Sequence, residues 1–149
     1  MSHTLRFQTL NSVVASFPST LDANLAAFIT ATTNHLVALA PAYATYYLAA
    51  DGPAAPISDE DPEGITIPAL VAPAFDFLGA LVRKGRIREW LQKPENVQAL
   101  VGSIIIWAQI TQEDEGKWED SPNTFVAEDD DDAQGDNLRA SSFELLLVC

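Results

Sequence analysis

Apolar residues recur at steps of three and four along most of the chain, which is the spacing of one face of an α-helix. Five such stripes predict five main helices, at 3–17, 19–47, 67–83, 94–110 and 137–149. The strict alternation of a half-buried strand is not evident at any point of the sequence. The predicted fold class is therefore all-α.

Prolines and one glycine mark where these helices begin and end. Pro18 separates the first two helices, and Pro94 suits the first turn of the fourth because the N–H it lacks has no intrahelical partner there. Pro41 and Pro73 fall inside predicted helices, where we expect kinks. Gly85 follows the third helix and predicts its end, since glycine readily takes the left-handed conformation that closes many helices.

The helices group into pairs separated by two polar segments. The predicted units are a helix pair at 1–50, an acidic Pro/Gly loop at 51–66, a helix pair at 67–120, an acidic loop at 121–136 and the first helix of a further repeat at 137–149. Antiparallel helix pairs of this length suit HEAT-type repeats stacked as an α-solenoid. The strongly apolar last helix predicts a piece of a longer array. A compact bundle of four or five helices, closed by that last helix, is the alternative.

Composition and charge narrow the class of protein. The chain has 149 residues, 48% of them hydrophobic, and a net charge of −13, so it can bury a core but would repel nucleic-acid phosphates. The charge favours basic proteins as partners. A single cysteine, Cys149, excludes an internal disulfide and fits a reducing compartment. No signal peptide is evident and the apolar stretch 99–110 is too short to cross a bilayer, so we expect a soluble intracellular protein that binds no membrane.

Motifs for catalysis or metal binding are not found in the sequence. There is no nucleophile elbow, no phosphate-binding glycine loop and no paired-cysteine site, and His3 and His35 have no evident catalytic partners. Two acidic segments match the opening of a calcium loop, but Ser141 and Leu70 occupy the positions that need a bidentate glutamate. We therefore expect no enzymatic activity, no cofactor and no metal site.

The turn at 83–88 concentrates positive charge. It holds four of the eight basic residues of the chain. One interpretation is that these cations follow a helix C-terminus, where the helix dipole favours them. The other is that they form an internal contact for an acidic segment.

Acidic residues are concentrated late in the chain. Eleven of the 21 fall between 113 and 136, four of them in direct succession. Trp118, Pro122 and Phe125 precede this succession, and large apolar side chains in a polar segment predict anchors that hold it against the helices. The residues expected to contact a basic partner are Glu128, Asp129, Asp130, Asp131, Asp132 and Asp136. A solvated linker is the alternative.

The same segment carries a resemblance to a known family. Trp118, Pro122, Phe125 and Val126 stand in the order Trp-x-x-x-Pro-x-x-Phe-Val, followed by the acidic run and by an apolar helix containing Arg139. This stretch resembles the importin-beta (karyopherin-beta) superfamily, most of all its importin nine branch. The resemblance implies a nuclear transport receptor built from HEAT repeats, of which this chain would supply about two and a half. It further implies that the acidic run contacts basic cargo such as histones, and that the small GTPase Ran binds the full-length receptor and not clearly this segment.

Two other functions are open at this point. The repeats could act as a spacer between binding surfaces that lie elsewhere in a longer receptor. Alternatively, the chain could be a free-standing acidic helical protein that binds basic partners in the manner of a histone chaperone.

Overall fold

The structure is a computed structural model that describes residues 3–16, 18–53, 66–131 and 138–148. These residues form helices joined by turns, and no strand occurs among them, so the predicted all-α class is confirmed. The elements are α1 (His3–Ser16), a 3₁₀ helix (Pro18–Asn24), α2 (Leu25–Tyr43), a π-helical turn (Ala44–Leu48), α3 (Ile67–Arg83), α4 (Arg88–Leu91), α5 (Pro94–Trp107), α6 (Gln112–Asp120), α7 (Pro122–Asp131) and α8 (Leu138–Val148).

The contacts among the main helices form two rows, α1–α3–α8 and α2–α5. Helix α3 packs against both α1 and α8, and α2 packs against α5. The rows meet where α2 contacts α3 and where α5 contacts α8. Helix α3 is therefore the centre of the fold, and its fully buried side chains include Phe77, Leu78 and Leu81.

The second helix differs from its sequence prediction at both ends. An α-helix was predicted from Ser19, but the chain forms a 3₁₀ helix as far as Asn24, which is a common way for a helix to begin. Helix α2 continues past Pro41 and then widens into the π-helical turn, in which the Thr45 hydroxyl donates a hydrogen bond to the Pro41 carbonyl at 2.9 Å. Helix α3 likewise runs through Pro73 to its predicted end.

Helix α3 ends in a hydrogen-bonded Schellman motif at Gly85, the residue that the sequence marked as its stop. Gly85 has a φ of 66°. Its N–H donates to the Val82 carbonyl at 2.8 Å, and the N–H of Arg86 donates to the Leu81 carbonyl at 2.9 Å. These bonds satisfy two of the carbonyls that a helix C-terminus leaves without intrahelical partners.

We expect Gly85→Ala to lower the free energy of unfolding by about 1–2 kcal/mol, because a Cβ is strained in the left-handed region. The matched control is Gly102→Ala in α5, where an added Cβ would meet nothing within 4 Å. That change should stabilise by about 0.5–1 kcal/mol, since alanine loses less backbone entropy in a helix. Urea denaturation followed by far-UV circular dichroism measures both. Equal effects of the two substitutions would contradict the left-handed cap.

Part of the predicted acidic loop at 121–136 is helical. Pro122–Asp131 forms α7, and the preceding polar stretch forms a separate helix, α6. Polar helices of this kind lack the apolar stripe by which a helix is detected in sequence. Residues 132–137 lie outside the described ranges, as does most of the predicted Pro/Gly loop, at 54–65.

One stretch, Leu21–Leu48, is long and apolar enough to cross a membrane by length and composition alone. The sequence pattern did not single it out. In the structure this stretch comprises most of the 3₁₀ helix, α2 and the π-helical turn, and 28% of its most apolar window is buried. Its buried residues, among them Leu36 and Tyr43, belong to the common core, and a core helix meets the same criterion of length and composition.

Candidate functional site

Helix α6 begins with a capping box at Thr111. The Thr111 hydroxyl accepts a hydrogen bond from the Asp114 N–H at 3.1 Å, and the Asp114 carboxylate accepts one from the Thr111 N–H at 3.1 Å. The Gln112 side chain donates to the Leu48 carbonyl at 3.3 Å and so joins α6 to the π-helical turn. Acidic residues in the first turn of α6 are favoured by the positive end of the helix dipole.

Helices α6 and α7 pack against each other as a hairpin, which we call the acidic hairpin (Gln112–Asp131). Its contact includes the rings of Trp118 and Phe125, whose centroids lie 5.7 Å apart at an interplanar angle of 85°. The Arg139 guanidinium of α8 lies 5.8 Å from the centre of the Phe125 ring. Pro122, the third predicted anchor, is the first residue of α7. The aromatic pair thus holds the two helices together, and Arg139 connects them to α8.

The predicted anchor Trp118 is not inserted into the core. Its side chain is 49% exposed, whereas Trp90 is 8% exposed and Trp107 is fully buried. The Trp118 residue therefore remains half open to solvent, next to acidic residues of the same helix.

The predicted acidic contact residues are only partly covered by the structure. Glu128, Asp129, Asp130 and Asp131 belong to the last turns of α7. Their side chains, together with Asp132 and Asp136, lie outside what the structure describes. Their contact with a partner therefore stays a prediction.

The acidic hairpin contributes to a groove that the sequence did not reveal. The groove has a volume of about 570 Å³ and lies between α6, α7 and α8. It is lined by Ile110, Asp114, Glu115, Trp118, Glu119, Phe125 and Arg139. The spacing of four between Asp114 and Trp118 and between Glu115 and Glu119 could have indicated this mixed face of α6.

Acidic residues of α6 also act on two tyrosines, the buried Tyr43 and the partly buried Tyr47. Burial raises the pKa of Tyr43 to about 12, and the negative charge of Asp114 adds to that effect. Burial likewise raises the pKa of Tyr47, with Glu113 adding to it and a backbone hydrogen bond at Ile67 opposing it. Both phenols therefore stay protonated near neutral pH.

The basic segment at 83–88 makes contacts with three other elements. The Lys84 ammonium donates to the Val14 carbonyl of α1 at 2.8 Å, and Arg86 pairs with Asp22 of the 3₁₀ helix. Arg83 lies 3.9 Å from the Glu144 carboxylate of α8. These contacts favour a structural role for the turn at the C-terminus of α3.

Within the described ranges, no group of three or more His, Cys, Asp or Glu side chains is arranged to hold a metal ion. No protein-family model matches the chain, and no solved structure matches it. Function is therefore inferred from the residues and their arrangement.

Proposed function

We propose that this chain is part of a nuclear transport receptor of the importin-beta type, a non-catalytic helical scaffold that binds basic protein cargo such as histones. The observation that carries the proposal is the order in which the helices contact each other. In a stack of antiparallel helix pairs, the first helices of successive pairs contact each other, and so do the second helices. The succession α1, α3, α8 in one row and α2, α5 in the other supports such a stack.

The charge of the acidic hairpin supports a basic partner. Helix α6 carries five acidic residues and one lysine, and that lysine, Lys117, pairs with Glu113 at 2.9 Å on the exposed surface. The end of α7 adds a further succession of acids. Such a concentration of one sign of charge attracts and orients oppositely charged proteins.

Within this proposal, the resemblance to importins supplies the cellular setting. The chain would occur in the cytoplasm and the nucleus, and Ran would bind the full-length receptor. The layered helices and the acidic hairpin are a surface for protein contact, and no cofactor is required for that role.

The test is binding of a core histone dimer to a variant in which Asp129, Asp130, Asp131 and Asp132 are replaced by Asn and Ser. The matched control neutralises four acids of the other acidic segment, Asp59, Glu60, Asp61 and Glu63. Each variant changes the net charge from −13 to −9, because four negative charges are removed.

We expect the first variant to weaken binding by about 30-fold, since each exposed ion pair contributes up to about 1 kcal/mol. The control variant should retain most of the affinity, and salt should weaken the wild-type complex because exposed charges are screened. Isothermal titration calorimetry at two salt concentrations measures these effects. Equal affinity of the wild type and the first variant would remove these residues as the contact, and absence of histone binding by the wild-type chain would contradict cargo binding by this segment.

A further inference from the structure

The groove beside the acidic hairpin combines a half-exposed tryptophan with carboxylates. Trp118 and Ile110 are each about half exposed there, at 49% and 50%. Asp114, Glu115 and Glu119 bring three negative charges to the lining, and Arg139 brings one positive charge, which leaves a formal charge of −2. An apolar partner would leave these carboxylates without compensation, and a phosphate would be repelled by them.

The groove already holds one cation against an aromatic ring. The Arg139 guanidinium lies 5.8 Å from the centre of the Phe125 ring, within the range of a cation–π interaction. Phe125 in turn meets the ring of Trp118 at 85°. The pair therefore presents two π-systems at a large angle, one engaged by Arg139 and the other, the better cation acceptor, half open to solvent.

The carboxylates of the groove differ in what they already bind. Asp114 is occupied by the capping box, in which it also accepts a hydrogen bond from the Thr111 hydroxyl at 2.8 Å. Glu115 accepts one from the Gln112 amide at 3.0 Å. Glu119 is exposed and lines the same groove as Trp118. Glu119 is thus the carboxylate best suited to pair with a cation placed over the indole.

We propose that this groove binds an arginine side chain from a basic segment of a partner protein, with the guanidinium stacked on Trp118 and paired with Glu119. Arginine fits better than lysine because its planar, weakly hydrated guanidinium stacks on aromatic faces and also donates hydrogen bonds in its plane to a carboxylate. The inference rests on the proposed function in that it takes the partner to be basic. It adds a defined contact on α6, separate from the acidic succession at the end of α7.

The experiment uses the full chain and a synthetic peptide of alternating arginine and glycine. A peptide in which citrulline replaces arginine keeps the shape but removes the charge. Intrinsic fluorescence is a suitable readout, because two of the three tryptophans are buried and Trp118 is the exposed one. If the fluorescence change on adding the peptide is lost in Trp118→Phe, that change is assigned to Trp118.

Three variants separate the contribution of the Trp118 ring from that of the Glu119 charge, and a fourth is the control. Trp118→Leu keeps an apolar side chain but removes the π face, and calorimetry should give a dissociation constant about fivefold higher. Trp118→Phe retains a π face and should recover part of that loss. Glu119→Gln should weaken binding about threefold at low salt and less at high salt. Glu95→Gln, an equal charge change on α5, should have no effect. Circular dichroism confirms that each variant remains folded.

The possible outcomes distinguish the arginine site in the groove from the proposed function as a whole. Binding of arginine peptide that Trp118→Leu leaves unchanged would overturn the groove site while leaving the basic-partner function in place. If the citrulline peptide bound as tightly as the arginine peptide, the positive charge of the guanidinium would have no role, and the proposal would be overturned. A dimer in analytical ultracentrifugation that Trp118→Leu abolishes would also overturn the proposal, because a second copy would then be the occupant. Binding of neither the peptide nor a histone dimer would contradict the proposed function itself.

Discussion

Replacing Trp107 by alanine is expected to lower the free energy of unfolding by about 4 kcal/mol, the largest single effect we expect in this protein. Trp107 is fully buried at the end of α5. Its ring lies 4.5 Å from that of Tyr43 in α2 and 6.5 Å from that of Phe75 in α3. The side chain therefore joins three helices from both rows, and its removal leaves a cavity that none of them can fill alone.

Trp107→Phe is the informative control. The indole N–H of Trp107 is buried and has no hydrogen-bond partner among the described residues. Phenylalanine removes this polar group and keeps most of the aromatic contact. The smaller ring lowers the free energy of unfolding, whereas removal of a buried N–H without a partner raises it. We expect a cost of about 1 kcal/mol. Urea denaturation followed by far-UV circular dichroism measures both variants, and a similar cost for Ala and Phe would contradict the importance of ring packing.

Replacing Leu145 by alanine is expected to cost about 3 kcal/mol of unfolding free energy. Leu145 is 2% exposed on α8, which packs against α3 and α5. The same substitution at Leu147, two residues further along the helix and 86% exposed, should change stability by less than about 0.5 kcal/mol. The two variants remove the same atoms from the same helix and differ in burial.

The Leu145 comparison also tests whether α8 belongs to the cooperative unit of the fold. If α8 folds together with α3 and α5, Leu145→Ala shifts the whole urea transition and leaves it a single step. Native-state hydrogen exchange would then report uniform loss of protection in the core. Loss of protection confined to α8, with the rest of the transition unchanged, would contradict this expectation.

The prediction of helices succeeded where each helix has an apolar stripe and a defined end. Helix α3 illustrates this, since its sequence carries both the apolar stripe and Gly85, and the structure ends it there. Helix α7 was missed and its residues were assigned to a loop. Local polarity does not distinguish a solvent-exposed helix from a loop, because in both cases the side chains face water.

The roles of individual residues near the site were harder to infer. Trp118 and Phe125 were predicted to anchor an acidic segment against the helices. In the structure they contact each other, and Trp118 stays half exposed. A large apolar residue in a polar stretch indicates that some contact is made, but the sequence does not state with which residue.

The sequence by itself determined the all-α class, the positions of the apolar helices and the concentration of acidic charge, because periodicity and charge are local properties of the chain. The tertiary structure decided that α3 packs against both α1 and α8, and that α7 packs against α6. It also decided that Arg139 meets Phe125 beside the carboxylates of α6. These contacts join residues that are distant in sequence, and they depend on how helices with several apolar faces share a core.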